Sequence, residues 1–382
     1  MSDNQIMIEE AVKAFRILLE EQLLRVERME EDAASTVQER KPLKIGIIDG
    51  DGIGPIIVGQ AQRVAECLLA DEIANNEVAL KRIEGLTIEN RMATGKTLPD
   101  GVLDAIKDCD VLLKGPTTTP KGGNMESANV ALRRELDLFA NVRPVSIPEK
   151  GIDWAFFREN TEGEYVLGSR GVTLGDKMAV DFKVTTYLGT RRIARAAFEY
   201  ARRNGKKNVA IVTKANIMKK TDGNFSAICH EVANDYPEIT AEDWYVDIMA
   251  ANLINEGMAS RFEVFVLPNL YGDILTDEAA QIQGGVGTAG SANTGNRYGM
   301  FEAIHGSAPR MIEQGIGEYA NPASILRALV MLLDHVGLTE KANKLTEAII
   351  ATDADVSVAV TGDRDGATCR QYTDALLAQL KK

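Results

Sequence analysis

The chain has 382 residues, of which 45% are hydrophobic and 26% are charged. This is the composition of a globular protein with room for two or three sub-domains, and it excludes disordered and fibrous chains. Its 43 lysines and arginines against 56 aspartates and glutamates give a net charge of −13. Such a charge disfavours a nucleic-acid partner, because phosphate binding needs clustered positive charge.

The N-terminal region and the cysteines indicate the cellular compartment that the sequence suits. No apolar run approaches the roughly 20 residues of a membrane span, and the N-terminus carries glutamates where a secretory signal would be basic and then apolar. We therefore expect a soluble, cytoplasmic protein that binds no membrane. The four cysteines form no Cys-x-x-Cys pair, so we expect reduced, mostly buried thiols and neither a zinc site nor a disulfide framework. They are Cys67, Cys109, Cys229 and Cys369.

Residues 6–29 place apolar side chains three and four positions apart, which predicts an amphipathic helix. Its polar face is rich in acids, so we expect the helix to pack on its own domain or on a second subunit and not on a lipid surface. Residues 30–41 are polar and are predicted to be a linker. The predicted apolar stripe consists of Ile8, Val12, Phe15, Leu19, Leu23 and Val26.

From residue 44 onward, short β-branched runs alternate with longer helical patterns, which predicts an α/β architecture. The alternating stretch 165–184 is compatible with an antiparallel hairpin arm, and the glycine-rich run 284–299 is predicted to be a functional loop. Strands are predicted at 44–48, 111–114, 209–212 and 264–267, and helices at 55–69, 187–203, 224–235, 323–335 and 339–352.

A glycine-rich turn, residues 49–55, follows the first predicted strand and opens a helix. Glycines there would let the backbone approach an anion at a helix N-terminus, but they serve an ordinary tight turn equally well. The spacing is neither that of a dinucleotide-binding Rossmann fingerprint nor that of a P-loop.

Three arginines, Arg133, Arg143 and Arg158, stand close in sequence within an acidic chain. Together they suit the bidentate binding of a ligand with several carboxylates. The alternative is that each arginine forms an ion pair, for example with Glu135 or Glu159.

Two aspartates, Asp273 and Asp277, are spaced by four residues after an apolar strand. On a helix this spacing puts both carboxylates on one face, where they could bind Mg²⁺ or Mn²⁺, and Asp247 could add a third oxygen ligand. The alternative is a pair of acids that complements the helix dipole. His305 has no nearby second histidine or cysteine, so it suits a ligand contact or a structural role better than zinc.

Eight motifs, taken in order, resemble the β-decarboxylating dehydrogenases, the family of isocitrate, 3-isopropylmalate and homoisocitrate dehydrogenases. The resemblance begins near residue 43 and continues to the C-terminus. The motifs are residues 49–55, 113–116 with 118–120, 127–137, 143–144, 157–165, 214–219, 269–277 and 305–309.

The resemblance implies an isocitrate/isopropylmalate dehydrogenase-like α/β fold that is not a Rossmann fold. A large discontinuous domain would comprise residues 43–138 and 284–382 and carry the cofactor side. A smaller domain, residues 139–283, would carry a clasp arm exchanged in a homodimer or higher homo-oligomer. Residues 1–42 would be a helical extension and linker.

The resemblance also implies residue roles. Tyr165 would protonate the enolate after CO₂ leaves, and Lys214, lent by a neighbouring subunit, would assist removal of the 2-hydroxyl proton. Asp273, Asp277 and the neighbour's Asp247 would hold Mg²⁺ or Mn²⁺, which acidifies the hydroxyl and stabilises the enolate. Substrate would contact Ser127, Asn129, Arg133, Arg143 and Arg158, and cofactor would contact Thr118, Thr119, Glu302, His305, Gly306, Ser307, Ala308, Arg310 and Asn321.

The substrate implied is isocitrate, because Ser127 and Asn129 match family members that hydrogen-bond a third carboxylate. Glu126 places a negative charge beside them and keeps isopropylmalate or homoisocitrate as alternatives. NAD and NADP both stay open, since Arg310, with Arg370, suits a 2′-phosphate while Asp374 stands where NADP users have an arginine. A non-catalytic regulatory subunit is the remaining alternative, and retention of Tyr165, Lys214 and the three aspartates argues against it.

Overall fold

The structure is a computed structural model that describes residues 3–33, 42–120, 125–166, 171–285 and 289–382. Its helices are α1 (Asp3–Ala33), α2 (Gly54–Leu68), α3 (Ala70–Ala74), α4 (Ile88–Thr94), α5 (Val102–Lys107), α6 (Ala128–Glu135), α7 (Tyr187–Arg203), α8 (Thr221–Ala233), α9 (Val246–Leu253), α10 (Glu256–Ala259), α11 (Asn269–Gln283), α12 (Pro309–Glu313), α13 (Ala323–His335), α14 (Thr339–Asp353) and α15 (Cys369–Leu380). Its strands are β1 (Leu43–Ile48), β2 (Val78–Arg82), β3 (Val111–Lys114), β4 (Ala140–Ile147), β5 (Ile152–Glu159), β6 (Val172–Leu174), β7 (Met178–Val180), β8 (Asn208–Thr213), β9 (Thr240–Tyr245), β10 (Val264–Leu267), β11 (Gly290–Thr294) and β12 (Gly299–Ala303).

The chain forms two compact units. The first comprises Met1–Gln38 and Glu149–Leu275, and the second comprises Glu39–Pro148 and Thr276–Lys382. Helix α11 runs across the division between them. The domain boundaries predicted from the sequence stay a prediction.

The second unit is built on strands in the order β2-β1-β3-β12-β11-β4. Strands β2, β1, β3 and β12 are parallel neighbours, whereas β11 is antiparallel to both β12 and β4. Alternate residues of β3 enter two different cores: Leu113 packs with residues of α2, α13, α14 and α15, and Leu112 packs with residues of α5 and α6. Both faces of this sheet are therefore covered by helices, as expected where parallel strands are apolar throughout.

Strands β11 and β12 correct one prediction. The glycine-rich run 284–299 was expected to be a functional loop, but Gly290–Thr294 is a strand paired on both sides, and Gly299 begins the next strand. A Cβ at Gly290 would lie 2.6 Å from the backbone nitrogen of Ala328, so this glycine serves close packing of the strand on α13. Residues 286–288 of the run lie outside the described residues.

The first unit contains the parallel strands β5, β10, β8 and β9 in that order. Its core is aromatic: the rings of Phe156 and Phe265 stack with centroids 4.2 Å apart, and Trp154 meets each of them edge-on. Helices α7 and α8 pack on these strands. The hairpin predicted within 165–184 is present as antiparallel β6 and β7, and residues 167–170 of that stretch lie outside the described residues.

Helix α1 packs against β6 and α7 of its own unit. The side chain of Leu18 is buried with Val166 and next to Phe182, whose ring stacks on that of Phe15 at 4.9 Å. Most of the predicted apolar stripe is nevertheless exposed, with Leu23 at 65%. The helix has two apolar faces, and periodicity does not tell which one docks. No helix among the described residues is long and apolar enough to cross a membrane.

Candidate active site

Three of the motifs are joined by hydrogen bonds in the second unit. The carboxylate of Asp51 accepts bonds from the backbone N–H groups of Ile88 and Thr118, each at 2.7 Å. The hydroxyls of Thr118 and Ser307 lie 2.7 Å apart, and the N–H of Ile53 donates to the carbonyl of Ser307 at 3.0 Å. Residues predicted to face the cofactor are therefore gathered around the turn that follows β1.

The glycines of that turn are required by contacts between backbones. Gly50 and Gly52 both have positive φ, at 72° and 61°. A Cβ at Gly50 would lie 2.1 Å from the carbonyl oxygen of Pro116, and one at Gly52 would lie 2.0 Å from that of Ser307. The turn interpretation accounts for both residues without an anion.

The remaining predicted cofactor residues belong to the same unit. Burial lowers the pKa of His305, whose Nδ1 lies 3.0 Å from the carbonyl oxygen of Gly306. Ala308 has a φ of 44°, rare for a residue with a Cβ, and starts α12 with Pro309. Asn321 accepts a bond from the N–H of Ala323 at the start of α13, while Thr119 and Arg310 are exposed.

Arg133 has a buried acidic partner in Glu302. Its Nη2 donates to Glu302 Oε1 at 3.3 Å, and Lys114 Nζ lies 3.0 Å from Oε2 of the same carboxylate. Burial by itself would raise the pKa of Glu302, but the charges of Lys114 and Arg133 and the amide of Asn293 lower it to about 2. Glu302 therefore holds a pair of cations at the end of β12. Its predicted contact with the cofactor stays a prediction.

Ser127 and Asn129 stand at the start of α6, and Arg133 follows Asn129 by one turn on the same helix. The side chain of Ser127 makes no capping bond to the helix. Asn129 accepts a bond from the hydroxyl of Thr117 at 3.0 Å. The charge of the neighbouring Glu126 is met by Arg134 through two bonds of 2.6 and 2.9 Å, so it does not stand unopposed beside these polar groups.

Arg143, on β4, donates from Nη1 to Thr276 Oγ1 at 2.6 Å and to Asp277 Oδ1 at 2.8 Å. The Arg143 side chain is almost buried, whereas that of Asp277 is 61% exposed. Arg143 thus projects from within the unit toward a carboxylate at its surface.

In the first unit, Arg158 and Tyr165 converge on Asp273. Arg158, at the end of β5, bonds Asp273 Oδ1 through Nη1 and donates to Asn269 Oδ1 from Nε and Nη2 at 2.9 and 2.7 Å. Tyr165 donates its hydroxyl to Asp273 Oδ2 at 2.7 Å. A Cβ at Gly272 would lie 2.5 Å from Arg158 Cγ, so only glycine lets α11 approach this side chain.

The arginines are therefore paired with acids, as the ion-pair alternative expected, but with different ones. Their partners are Glu302, Asp277 and Asp273 instead of Glu135 and Glu159. Each partner arrives from a distant part of the chain, which no local pattern indicates.

Lys214 and Asp247 form a separate pair in the first unit, with Nζ 2.5 Å from Oδ1. The bond from Lys214 lowers the pKa of Asp247. Asp222 accepts a bond from the backbone N–H of Lys214 at 2.7 Å and also binds Lys183 Nζ at 2.5 Å. No motif in the sequence singles out Asp222 or Lys183: the first is one of two polar residues opening α8, and the second stands in no recognisable pattern.

The donor chemistry of two acids on α11 fits a hard divalent cation. Asp273 and Asp277 lie one turn apart on α11 and offer carboxylate oxygens. Among the described residues there is no group of three or more histidines, cysteines, aspartates or glutamates that could hold a metal ion. A Cβ at Gly306, one of the predicted cofactor residues, would meet no atom within 4 Å, so the loop has an open face at this position.

Comparison with known proteins identifies the family. The chain matches the isocitrate/isopropylmalate dehydrogenase family model over residues 44–376. It is 37% identical over 344 residues to isocitrate dehydrogenase (NAD) subunit 2, mitochondrial, of Schizosaccharomyces pombe, covering 88% of this chain and 87% of the relative. It is 36% identical over 326 residues to homoisocitrate dehydrogenase of Methanocaldococcus jannaschii, covering 80% and 89%.

A solved structure agrees with this assignment. The crystal structure of isocitrate dehydrogenase from Methylococcus capsulatus superposes with a TM-score of 0.77 at 35% identity and covers 89% of this chain and 99% of that one. The fold class predicted from the resemblance is thereby confirmed. The chain belongs to the isocitrate/isopropylmalate dehydrogenase family of NAD(P)-dependent β-decarboxylating dehydrogenases.

Proposed function

We propose that the protein oxidises and decarboxylates isocitrate to 2-oxoglutarate and CO₂ while reducing NAD or NADP. The observation that carries the proposal is the convergence of Arg158 and Tyr165 on Asp273. One carboxylate then lies in contact with a cation suited to a substrate carboxylate and with a hydroxyl suited to proton transfer. That combination is what a reaction on a hydroxy acid needs.

The arginines bind and orient the substrate in this proposal. Arg133, Arg143 and Arg158 are each paired with an acid of the chain, so their guanidinium groups are held toward carboxylate-binding positions before substrate arrives. A guanidinium fork matches a carboxylate in geometry as well as in charge. Pre-positioning lowers the entropy cost of fixing a flexible tricarboxylate.

Two residues move protons. Lys214 of the partner subunit assists removal of the 2-hydroxyl proton as hydride leaves C2 for the nicotinamide, and Tyr165 donates a proton to the product carbon after CO₂ is lost. Asp222 orients Lys214 through its backbone N–H. A bound Mg²⁺ or Mn²⁺, held by Asp273, Asp277 and the partner subunit's Asp247, would acidify the hydroxyl and stabilise negative charge on the enolate.

The substrate assignment rests on Ser127 and Asn129. Their hydroxyl and amide can hydrogen-bond a third carboxylate, while an isopropyl group there would leave polar groups unpaired at a cost of about 1–3 kcal/mol. Pairing of Glu126 with Arg134 removes the objection that an unopposed acid stands beside a tricarboxylate. Homoisocitrate is the second candidate, supported by a relative of that name at 36% identity.

The cofactor is proposed as NAD or NADP without preference. Arg310 is exposed and available to a 2′-phosphate. Asp374 is paired with Arg63 at 2.6 Å and has Arg370 at 3.9 Å, so the charge of Arg370 is partly met within the chain. Direct comparison of the two dinucleotides decides the question.

We propose a cytoplasmic homodimer or higher homo-oligomer in which each subunit completes its partner's site. Among the described residues of one chain, no three acids are grouped as a metal site would need, which supports this arrangement. Around that pair lie apolar side chains that are unusually exposed, which suits a subunit contact. They are Ile217, Tyr245, Ile248 and Ile254.

A steady-state assay tests the proposal. Purified protein should reduce NAD or NADP with isocitrate, and chelation of divalent metal should abolish the rate until Mg²⁺ or Mn²⁺ is restored. Faster turnover of homoisocitrate or 3-isopropylmalate would overturn the argument from Ser127 and Asn129. Absence of turnover on all three acids, with both dinucleotides and with metal present, would favour a non-catalytic subunit.

A further inference from the structure

One cation of the N-terminal helix enters the interior of the first unit. The side chain of Arg25 is only 16% exposed although the helix lies on the surface. Its Nη1 donates to Glu162 Oε1 at 3.0 Å, and its Nη2 donates to the hydroxyl of Thr161 at 2.8 Å. Helix α1 precedes residue 44, where the family match begins, so Arg25 lies outside the part of the chain that the family model matches.

Arg25 faces two buried acids. Glu159, the last residue of β5, and Glu162 are 2% and 3% exposed and stand three residues apart. Burial, reinforced by the charge of Glu162, raises the pKa of Glu159 to about 7, and Arg25, Thr161 and Arg192 of α7 oppose this rise. Two arginines therefore meet two carboxylates, and Arg25 is the one supplied by the extension.

The two carboxylates fold the segment that carries the reactive groups. Glu159 accepts bonds from the N–H and the hydroxyl of Thr161 and from the N–H of Glu162, at distances between 2.6 and 3.1 Å. Glu162 accepts bonds from the N–H of Thr186 at 2.8 Å and from its hydroxyl. These bonds close the turn that has Arg158 at one end and Tyr165 near the other.

A second chain of bonds runs from the same segment to Arg158. The side-chain amide of Asn269 donates to the carbonyl oxygen of Glu162 at 2.9 Å, and its oxygen accepts both bonds from Arg158. Displacement of Glu162 would therefore move the anchor of the Arg158 guanidinium. Asn269 therefore links the start of α11 to the segment.

We propose that Arg25 is a positioning residue for the dehydrogenase site: its guanidinium fork, reaching in from α1, holds Glu162 and Thr161 and through them sets Arg158 and Tyr165. This inference rests on the proposed function. It gives the N-terminal helix α1 a role in turnover, because the helix would then hold residues of the active site in place.

The kinetic test compares Arg25→Met with Arg28→Met, a matched change of an exposed arginine on the same helix. With isocitrate, Arg25→Met should lower kcat/KM about tenfold or more, because small displacements of reacting groups are costly. KM for the dinucleotide should not change, since its motifs belong to the other unit. Arg25→Lys keeps the charge but loses the fork, so it should recover part of the rate.

A second measurement does not depend on activity. The N–H groups of Thr161, Glu162 and Thr186 bond to the two carboxylates, so Arg25→Met should speed hydrogen exchange in peptides covering 157–166 and 184–190, while Arg28→Met should not. Wild-type kinetics and wild-type exchange in Arg25→Met would overturn the proposal. An inactive wild-type enzyme would refute the proposed function instead, and the exchange result would still decide whether Arg25 holds the segment.

Discussion

Tyr165 donates its hydroxyl to Oδ2 of Asp273 at 2.7 Å, while Oδ1 of the same carboxylate is bonded by Arg158. One acidic group of α11 thus orients both a substrate-binding cation and a proton donor. Arg158 also lies 5.4 Å from the centre of the Tyr165 ring. The three side chains therefore form one hydrogen-bonded cluster, in which a shift of one side chain displaces the other two.

Replacement of Tyr165 by Phe should lower kcat by about 10²–10⁴, because the ring stays while the acid is lost. KM for isocitrate should change little, since Arg158 keeps Asn269 and Asp273 as partners. Steady-state kinetics with isocitrate measure both constants. Tyr298→Phe, which removes a hydroxyl in the other unit, is the control, and equal kcat values for the two variants would remove Tyr165 from the chemistry.

Lys214→Met should lower kcat by a similar factor of about 10²–10⁴. Co-expression of this variant with Tyr165→Phe tests whether subunits share sites. If Lys214 serves the partner's site, a hybrid dimer of the two variants has one site carrying both changes and one intact site. Random pairing after co-expression should then restore about one quarter of wild-type activity. Co-expressed variants that stay as inactive as either one alone would show that Lys214 and Tyr165 act in the same chain's site.

Among the strands, those that the sequence predicted with their observed bounds are buried on both faces. Val111–Lys114 and Val264–Leu267 were predicted with their observed bounds, because each is a short apolar run. Strand β4 was missed since it contains Arg143 and Pro144, and β9 was missed since this edge strand carries charged residues. A strand that is buried on both faces is recognisable as a short apolar run in the sequence. Edge strands and strands with charged residues or proline show no such run.

The identities of the site residues could be read from motifs, but their pairing could not. Arg133 and Glu302 are 169 residues apart, and Arg158 and Asp273 are 115 apart, so no spacing rule joins them. The sequence does not indicate the buried position of Arg25 either, because a single arginine on a helix with mixed charges is expected to be solvated. Contacts of this kind follow from the tertiary fold.

Glu302→Gln should destabilise the second unit by about 3 kcal/mol or more at neutral pH, because it leaves Lys114 and Arg133 buried without their shared acid. The sign of the pH dependence follows from the depressed pKa of about 2. The stability that ionised Glu302 contributes to the folded state is fully present above the ordinary pKa of a glutamate, and it is lost as the pH falls through about 2. The gap between wild type and variant should therefore be large at pH 7 and shrink in acid.

Denaturant unfolding at pH 7 and in acid measures this gap. Glu135→Gln is the control, since Glu135 is exposed and lies 3.8 Å from Arg134 Nε, where a surface pair contributes about 1 kcal/mol or less. A Glu302→Gln variant as stable as this control, or one whose deficit grows toward low pH, would contradict the assignment of the buried cluster.

Gly52→Ala should weaken both stability and dinucleotide binding, because the new Cβ would lie 2.0 Å from the carbonyl oxygen of Ser307 and φ is +61°. Strained backbone of this kind costs about 1–3 kcal/mol, and relief of the clash would push the turn away from Ser307 and Thr118. The expected result is a lower melting temperature and a raised KM for NAD or NADP, with KM for isocitrate less affected.

Gly59→Ala is the matched control for that variant. Gly59 lies in α2 with no atom within 4 Å of a Cβ position, so alanine there should stabilise the helix by about 0.5–1 kcal/mol and leave both KM values unchanged. The contrast between two identical substitutions seven residues apart in one polypeptide separates the turn's role from any general effect of added methyl groups. If Gly52→Ala behaves like Gly59→Ala in both assays, the close approach of the turn to Ser307 does not shape the dinucleotide site.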